Sequence, residues 1–111
     1  MQNQTIYFDN NATTKVAPEV VEALLPYFSE RYGNPSSLYD FGAEIRRTVE
    51  EARKQIAGYL GAKSEREIVF TSGGTESNHT AIHSALESRT NRKRIVTTQV
   101  EHSSVLNLCQ T

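Results

Sequence analysis

Residues 70–78 read FTSGGTESN, and their types and order are suited to holding a phosphate group. A short apolar run at 67–70 precedes them and apolar residues at helical spacing follow, so Gly73-Gly74-Thr75 lies where a predicted strand turns into a predicted helix. Such a turn presents unpaired backbone N–H groups and the positive end of the helix dipole. Glycine lets backbone approach a ligand closely, and the Thr75 hydroxyl adds a side-chain bond. The alternative is a tight turn with a helix cap and no ligand.

Two common nucleotide-binding patterns are absent from this stretch. No lysine follows the glycines as in a P-loop, and no third glycine falls where the dinucleotide fingerprint needs it. The turn is therefore neither a P-loop nor the dinucleotide fingerprint.

His102 is the titratable aromatic side chain that follows the second predicted strand, 94–98. Strand, helix and strand with short links predict a βαβ unit with two parallel strands, at 67–71 and 94–98. The turn at Gly74 and the segment at His102 then open on the same edge of the sheet, where α/β proteins bind ligands. His102 could serve as a general acid or base, as a metal ligand, or as a flat surface on which a ring stacks. The alternative is an isolated surface histidine.

A metal site is not predicted. His79, His83 and His102 are the only histidines, and no cysteine or carboxylate completes a ligand set with them. His79 and His83 lie one helical turn apart and are interpreted as a helix face.

The remaining elements are predicted to be mostly helical. A first helix starts at Pro18, is kinked or shortened at Pro26 and ends at Gly33. After a turn-rich loop at 32–37, YGNPSS, a long helix with apolar positions from 41 to 60 stops at Gly61. A helix over 75–88 follows the glycine turn, and Ser104 is expected to cap a last helix.

Composition suits a soluble globular domain in a reducing compartment. The chain has 111 residues, 23% charged and 37% hydrophobic, with 12 basic and 13 acidic side chains. This balance gives no electrostatic argument for nucleic acid or an anionic membrane as partner. One cysteine, Cys109, excludes an internal disulfide, and the start of the chain shows neither a signal peptide nor a membrane span. A cytoplasmic location is expected.

Four motifs in order resemble one enzyme family. They are DNNATT at 9–14, YGNPSS at 32–37, FTSGGTESN at 70–78 and EHSSV at 101–105, and they are similar to the amino-terminal part of the cysteine desulfurases, in the nitrogenase-associated and iron–sulfur-cluster group. Tyr39 and His79 depart from the usual pattern, which leaves the subgroup and the preference for cysteine or selenocysteine open.

The resemblance implies a fold, a cofactor and a reaction. The fold is α/β, the start of the aspartate-aminotransferase-like (PLP fold type I) large domain, a mostly parallel sheet with flanking helices. Residues 1–15 are an N-terminal arm near the dimer contact, and 16–111 are the first, incomplete part of the PLP-binding domain. Such enzymes use pyridoxal 5′-phosphate to take sulfur from L-cysteine, leaving alanine and an enzyme persulfide. They act as homodimers with a sulfur-acceptor or scaffold protein.

The resemblance also assigns roles to residues of this chain. Gly74 and Thr75 match the turn that binds the cofactor phosphate, and His102 matches the histidine that stacks on the pyridine ring and helps to move protons. The family's Schiff-base lysine and catalytic cysteine match nothing here. The lysines are interpreted as surface residues, and Cys109 as a small buried apolar side chain. The chain alone is therefore expected to be inactive, a truncated copy or fragment. The alternatives are another class V enzyme, such as an aminotransferase or selenocysteine lyase, and a non-enzymatic remnant that binds a partner.

Overall fold

A computed structural model describes residues 6–88, 91–92 and 94–110. The chain divides into two compact units, Met1–Glu65 and Arg66–Thr111. The sequence-based division into an arm over 1–15 and a domain over 16–111 is a different partition and stays a prediction. Of the helices within these described ranges, none combines the length and the apolar content that crossing a membrane requires.

Two prolines shape the first helices of unit 1. Helix α1 spans Pro18–Leu24 and begins with proline, whose missing N–H is harmless there. Helix α2 spans Pro26–Ser29, so the predicted interruption at Pro26 is confirmed. The predicted end at Gly33 is wrong. The backbone N–H groups of Glu30 and Arg31 both donate to the Pro26 carbonyl, at 2.9 and 2.7 Å, which closes the turn before the glycine is reached.

The long helix of unit 1, α3, spans Asp40–Leu60. Its predicted stop is confirmed, because Gly61 adopts the left-handed conformation with φ of 67°. The N–H of Ala62 donates to the Ala57 carbonyl at 2.9 Å, a bond that satisfies one of the last carbonyls of the helix. Ile45 and Ala57 are buried on its apolar face.

The YGNPSS loop folds against the start of α3. Asn34 organises it, since its Oδ1 accepts from the Ser36 N–H at 2.9 Å and its carbonyl accepts from the Ser37 N–H at 3.0 Å. Gly42 is buried where this loop meets the helix, and a Cβ on it would lie 2.7 Å from the Ser37 Cβ. A glycine is therefore required at that contact.

A single turn of 3₁₀ helix at Glu65–Glu67 spans the division between the two units along the chain. Unit 2 contains helix α4, Gly74–Glu87, and helix α5, Ser103–Cys109. Helix α4 begins one residue earlier than predicted, and α5 packs against it. Asn78 of α4 and Ser104 of α5 join the two helices through a hydrogen bond of 2.9 Å.

The predicted strands at 67–71 and 94–98 are not formed within the part of the chain that the structure describes. Most of their apolar side chains are exposed, Val69 to 69% and Val96 to 90%. A strand requires a neighbouring backbone about 4.8 Å away to complete its ladder of hydrogen bonds. β-branched residues favour an extended backbone, but they do not provide the neighbouring strand with which it must pair. The local sequence pattern therefore predicted strands that the described residues do not form.

Candidate functional site

The turn that precedes α4 leaves backbone donors available at the start of the helix. Gly73 is extended, with φ of 167° and ψ of 179°, and the helix has no side-chain cap. Within the described ranges, the N–H groups of Gly74, Thr75 and Glu76 have no hydrogen-bond acceptor. These are the groups that carry the positive end of the helix dipole. The start of α4 can therefore donate to an anion.

The glycines keep this end of the helix open. A Cβ atom placed on Gly73 or on Gly74 would meet no atom within 4 Å apart from its chain neighbours and the nearby backbone of its own helix. Neither glycine packs against a neighbouring segment, in contrast to Gly42, so their small size leaves free space beside the donors. Room next to unpaired N–H groups is the condition for close approach of a ligand oxygen.

Two hydroxyl groups hold the turn through the Gly73 carbonyl. That carbonyl accepts from the backbone N–H of Ser77 at 3.1 Å, from Ser77 Oγ at 3.2 Å and from Thr71 Oγ1 at 3.2 Å. Thr71 Oγ1 and Ser77 Oγ also lie 2.6 Å apart, and because each hydroxyl has one hydrogen, one of them can donate to the other in place of its bond to the carbonyl. Thr75 takes part in none of these bonds and is exposed. Thr71 and Ser77 therefore stabilise the turn while the Thr75 hydroxyl is left available.

Glu76 is a charged residue of this turn that is not among the predicted site residues. Its Oε2 accepts from the backbone N–H of Ser72 at 2.6 Å. The hydrogen bond from the Ser72 backbone lowers the pKa of the Glu76 carboxyl from its ordinary value of 4.5. An acidic residue at the third position of a helix is the sequence signal for such a bond. The bond thereby holds the Glu76 carboxylate beside the backbone of Ser72, in the segment that precedes α4.

His102, not Ser104, caps helix α5. The Nδ1 atom of His102 accepts from the backbone N–H of Ser104 at 3.2 Å, and His102 itself is extended, with φ of −60° and ψ of 147°. The prediction that Ser104 caps the helix is wrong because α5 already begins at Ser103. The ring nitrogen occupies the place that a Ser, Thr or Asp oxygen takes at other helix starts.

The Ser104 hydroxyl connects His102 to helix α4. Ser104 Oγ lies 2.9 Å from His102 Nδ1 and accepts from Asn78 Nδ2 at 2.9 Å. Ser104 is a buried polar residue, with 5% of its surface exposed. The first turns of α4, which carry Gly74 and Thr75, and the residue that precedes α5 are thus tied together through Asn78 and Ser104. The sequence places Asn78 in a motif but gives no signal for this contact.

The other residues considered from the sequence lie apart from this arrangement. Cys109 is a free, half-buried thiol on α5. Lys15, Lys54 and Lys63 are exposed, and Lys93 lies outside the described residues. Across the same described part of the chain, no group of three or more His, Cys, Asp or Glu side chains could hold a metal ion.

Comparison with known proteins identifies what the chain resembles. The model of the family Aminotransferase class-V matches residues 6–111. A cysteine desulfurase of Trichormus azollae is 56% identical over 105 residues, which cover 95% of this chain and 26% of the relative. The cysteine desulfurase NifS of Azotobacter vinelandii is 52% identical over 104 residues, covering 94% of this chain and 26% of the relative.

A solved structure agrees with these sequence matches. It is named NifS-like protein, has a TM-score of 0.85 and 42% sequence identity, and covers 96% of this chain and 29% of its own. The chain thus spans about a quarter of the length of the curated relatives it matches. The predicted resemblance to the amino-terminal part of cysteine desulfurases is confirmed. The predicted fold class, the start of the PLP fold type I large domain, is confirmed as well.

Proposed function

The chain belongs to the aminotransferase class-V family, and we propose that it forms the amino-terminal part of a PLP-dependent cysteine desulfurase. The reaction takes sulfur from L-cysteine and leaves alanine and a persulfide on the enzyme, for iron–sulfur cluster assembly or another sulfur-transfer pathway. The observation that carries the proposal is the start of α4. There, unpaired N–H groups, an exposed threonine and two glycines with free space lie together in a segment matched to desulfurases.

The residues at the start of α4 fit the phosphate of pyridoxal 5′-phosphate. Gly74 and Thr75 would hold it through their backbone N–H groups and the Thr75 hydroxyl, all donors suited to an anion. The Glu76 carboxylate is the one group in this turn that would repel a phosphate. Its bond to the Ser72 N–H occupies one carboxylate oxygen and draws the charge toward the residues ahead of the helix.

His102 would contribute a flat ring and a proton-carrying nitrogen. Nδ1 is engaged by Ser104, and Nε2 has no hydrogen-bond partner among the described residues. Nε2 is therefore the atom at which His102 can take up or release a proton. The cofactor, when bound, supplies the electron sink for chemistry at the substrate α-carbon. The role of His102 is to present its ring beside the cofactor and to carry a proton at Nε2.

The same proposal covers the setting of the complete enzyme. It is a homodimer in the cytoplasm, it passes sulfur to an acceptor or scaffold protein, and it binds neither nucleic acid nor membrane. The near balance of 12 basic and 13 acidic side chains supports the last point. Residues 1–15 serve as the arm near the dimer contact, and 16–111 open the PLP-binding domain.

A chimeric enzyme tests the proposal. Residues 6–111 replace the matching segment of the Azotobacter vinelandii protein, and bound cofactor, alanine and sulfide are measured with L-cysteine as substrate. We expect cofactor binding with alanine and sulfide formed in step. Cofactor binding without sulfide would favour another class V reaction. A folded chimera that binds no cofactor would refute the phosphate site and favour a non-enzymatic remnant.

A further inference from the structure

We propose that Asn78 and Ser104 are positioning residues that hold the neutral ring of His102 with its hydrogen on Nε2. They do so through one directed chain of hydrogen bonds, from the Asn78 amide to the Ser104 hydroxyl and from that hydroxyl to His102 Nδ1. The catalytic meaning of this arrangement rests on the proposed function, whereas the arrangement itself concerns residues of this chain alone.

The direction of the chain follows from what each atom can do. The Nδ2 group of Asn78 only donates, so Ser104 Oγ accepts from it at 2.9 Å. The hydroxyl hydrogen of Ser104 is then available for His102 Nδ1, 2.9 Å away. The backbone N–H of Ser104 also only donates, and it points to the same Nδ1 at 3.2 Å. Two donors meet Nδ1, so this nitrogen carries the lone pair and the hydrogen of the neutral ring resides on Nε2.

Burial makes this arrangement costly to lose. Ser104 is 5% exposed, and a buried hydroxyl without partners is unfavourable. Asn78 and His102 supply the partners of the Ser104 hydroxyl within the described part of the chain. A ring with its hydrogen on Nδ1 would set that hydrogen against the Ser104 N–H and remove the cap of α5. The network therefore selects one tautomer and one ring orientation.

The consequence is a link between the two parts of the proposed cofactor site. Asn78 lies on α4, within the turn that follows Gly74 and Thr75, while His102 immediately precedes α5. The bond between Asn78 and Ser104 places the donors at the start of α4 and the imidazole in one connected arrangement. It also directs Nε2, with its hydrogen, away from the internal network and toward whatever the ring faces.

Nitrogen NMR on histidine-labelled full chain reads the tautomer directly, without cofactor or turnover. The two nitrogens of a neutral imidazole give distinct pyrrole-like and pyridine-like resonances, so the spectra are recorded at alkaline pH. The chain has 3 histidines, so a His102→Gln variant assigns the signal. We expect Nδ1 of His102 to be pyridine-like. The fraction of rings with the hydrogen on Nδ1 should be at least about five-fold lower for His102 than for exposed His83, because one net hydrogen bond corresponds to about that factor.

Two variants test the network by opposite means. Ser104→Ala removes the hydroxyl and should raise the Nδ1–H share of His102 about five-fold, since the backbone N–H remains as the one donor. Asn78→Asp replaces a donor by an acceptor, so the Ser104 hydroxyl turns toward the carboxylate and the hydrogen of the ring shifts toward Nδ1. The matched controls are Ser84→Ala on α4 and Asn107→Asp on α5, which make the same chemical changes at exposed positions outside the network.

The outcomes separate this proposal from the proposed function. An unchanged His102 tautomer in both Ser104→Ala and Asn78→Asp, with helix content by circular dichroism equal to that of the controls, would overturn the positioning role. If a variant loses its fold, the wild-type spectrum still decides, because a dominant Nδ1–H form in it contradicts the proposal. Failure of the chimera to bind cofactor would leave these NMR results intact and would remove only their catalytic meaning.

Discussion

The carboxylate of Glu76 accepts a hydrogen bond from the backbone N–H of Ser72, with 2.6 Å between Oε2 and the nitrogen. The bond lowers the pKa of Glu76 from its ordinary 4.5 in the folded chain. Above pH 4.5 the carboxyl is ionised in both folded and unfolded states, and its contribution to stability is fully present. As the pH falls through the folded-state pKa the contribution is lost, because the unfolded chain takes up the proton more readily.

The first prediction concerns this bond. Replacement by the neutral amide, Glu76→Gln, should lower the Tm near neutral pH, and the difference from the wild type should shrink as the pH falls below 4.5. Thermal unfolding followed by circular dichroism between pH 7 and pH 3 measures it. Glu87→Gln removes the same charge at the other end of α4, where an acid opposes the dipole, and should not lower the Tm. A difference for Glu76→Gln that does not vary with pH would contradict the assignment.

The second prediction concerns the Thr75 hydroxyl. In the chimeric enzyme, Thr75→Ala removes one hydrogen bond to a charged acceptor, worth about 1.5–3 kcal/mol. The Kd for pyridoxal 5′-phosphate should rise roughly ten- to hundred-fold. Thr75→Ser retains the hydroxyl and should bind nearly as the parent does. Thr80→Ala, an exposed position farther along α4, is the control. Equal affinity in parent and Thr75→Ala would exclude the threonine from the phosphate site.

The third prediction separates the two roles proposed for His102. In the chimera, His102→Phe keeps a flat ring and should retain cofactor better than His102→Ala, while both should lose turnover with the proton-carrying nitrogen. Both variants also lose the cap of α5, so the comparison between them isolates the ring. His102→Asn, which can still cap the helix, controls for that loss. Normal turnover in His102→Phe would restrict the histidine to stacking.

The fourth prediction compares two glycines on the same helix. Gly42→Ala would press its Cβ against the Asn34 carbonyl and the Ser37 Cβ, and should lower the free energy of unfolding by about 1–3 kcal/mol. Gly58→Ala meets nothing within 4 Å in the last turn of α3. It should raise the free energy of unfolding by about 0.5–1 kcal/mol, because alanine favours helix over glycine. Urea unfolding of both variants measures the pair, and equal effects would refute the close contact at Gly42.

Local chemistry accounts for the features that the sequence predicted well. Pro26 interrupts the first helix and Gly61 ends the long one because each acts through its own backbone, independent of distant residues. The turn at Gly73 and Gly74 follows for the same reason. The predicted strands failed where a local preference needed a partner backbone that the described residues do not provide.

Residue types and their order predict a phosphate site at Thr75 with its preceding glycines, and a proton-carrying side chain at His102. How the segments that carry these groups are connected becomes visible in the folded chain. Asn78 and Ser104 are separated by 26 positions in the chain, yet they share a part-buried hydrogen bond, and the Ser104 hydroxyl also contacts His102. No periodicity or motif specifies such a bond, because it depends on how α5 packs against α4.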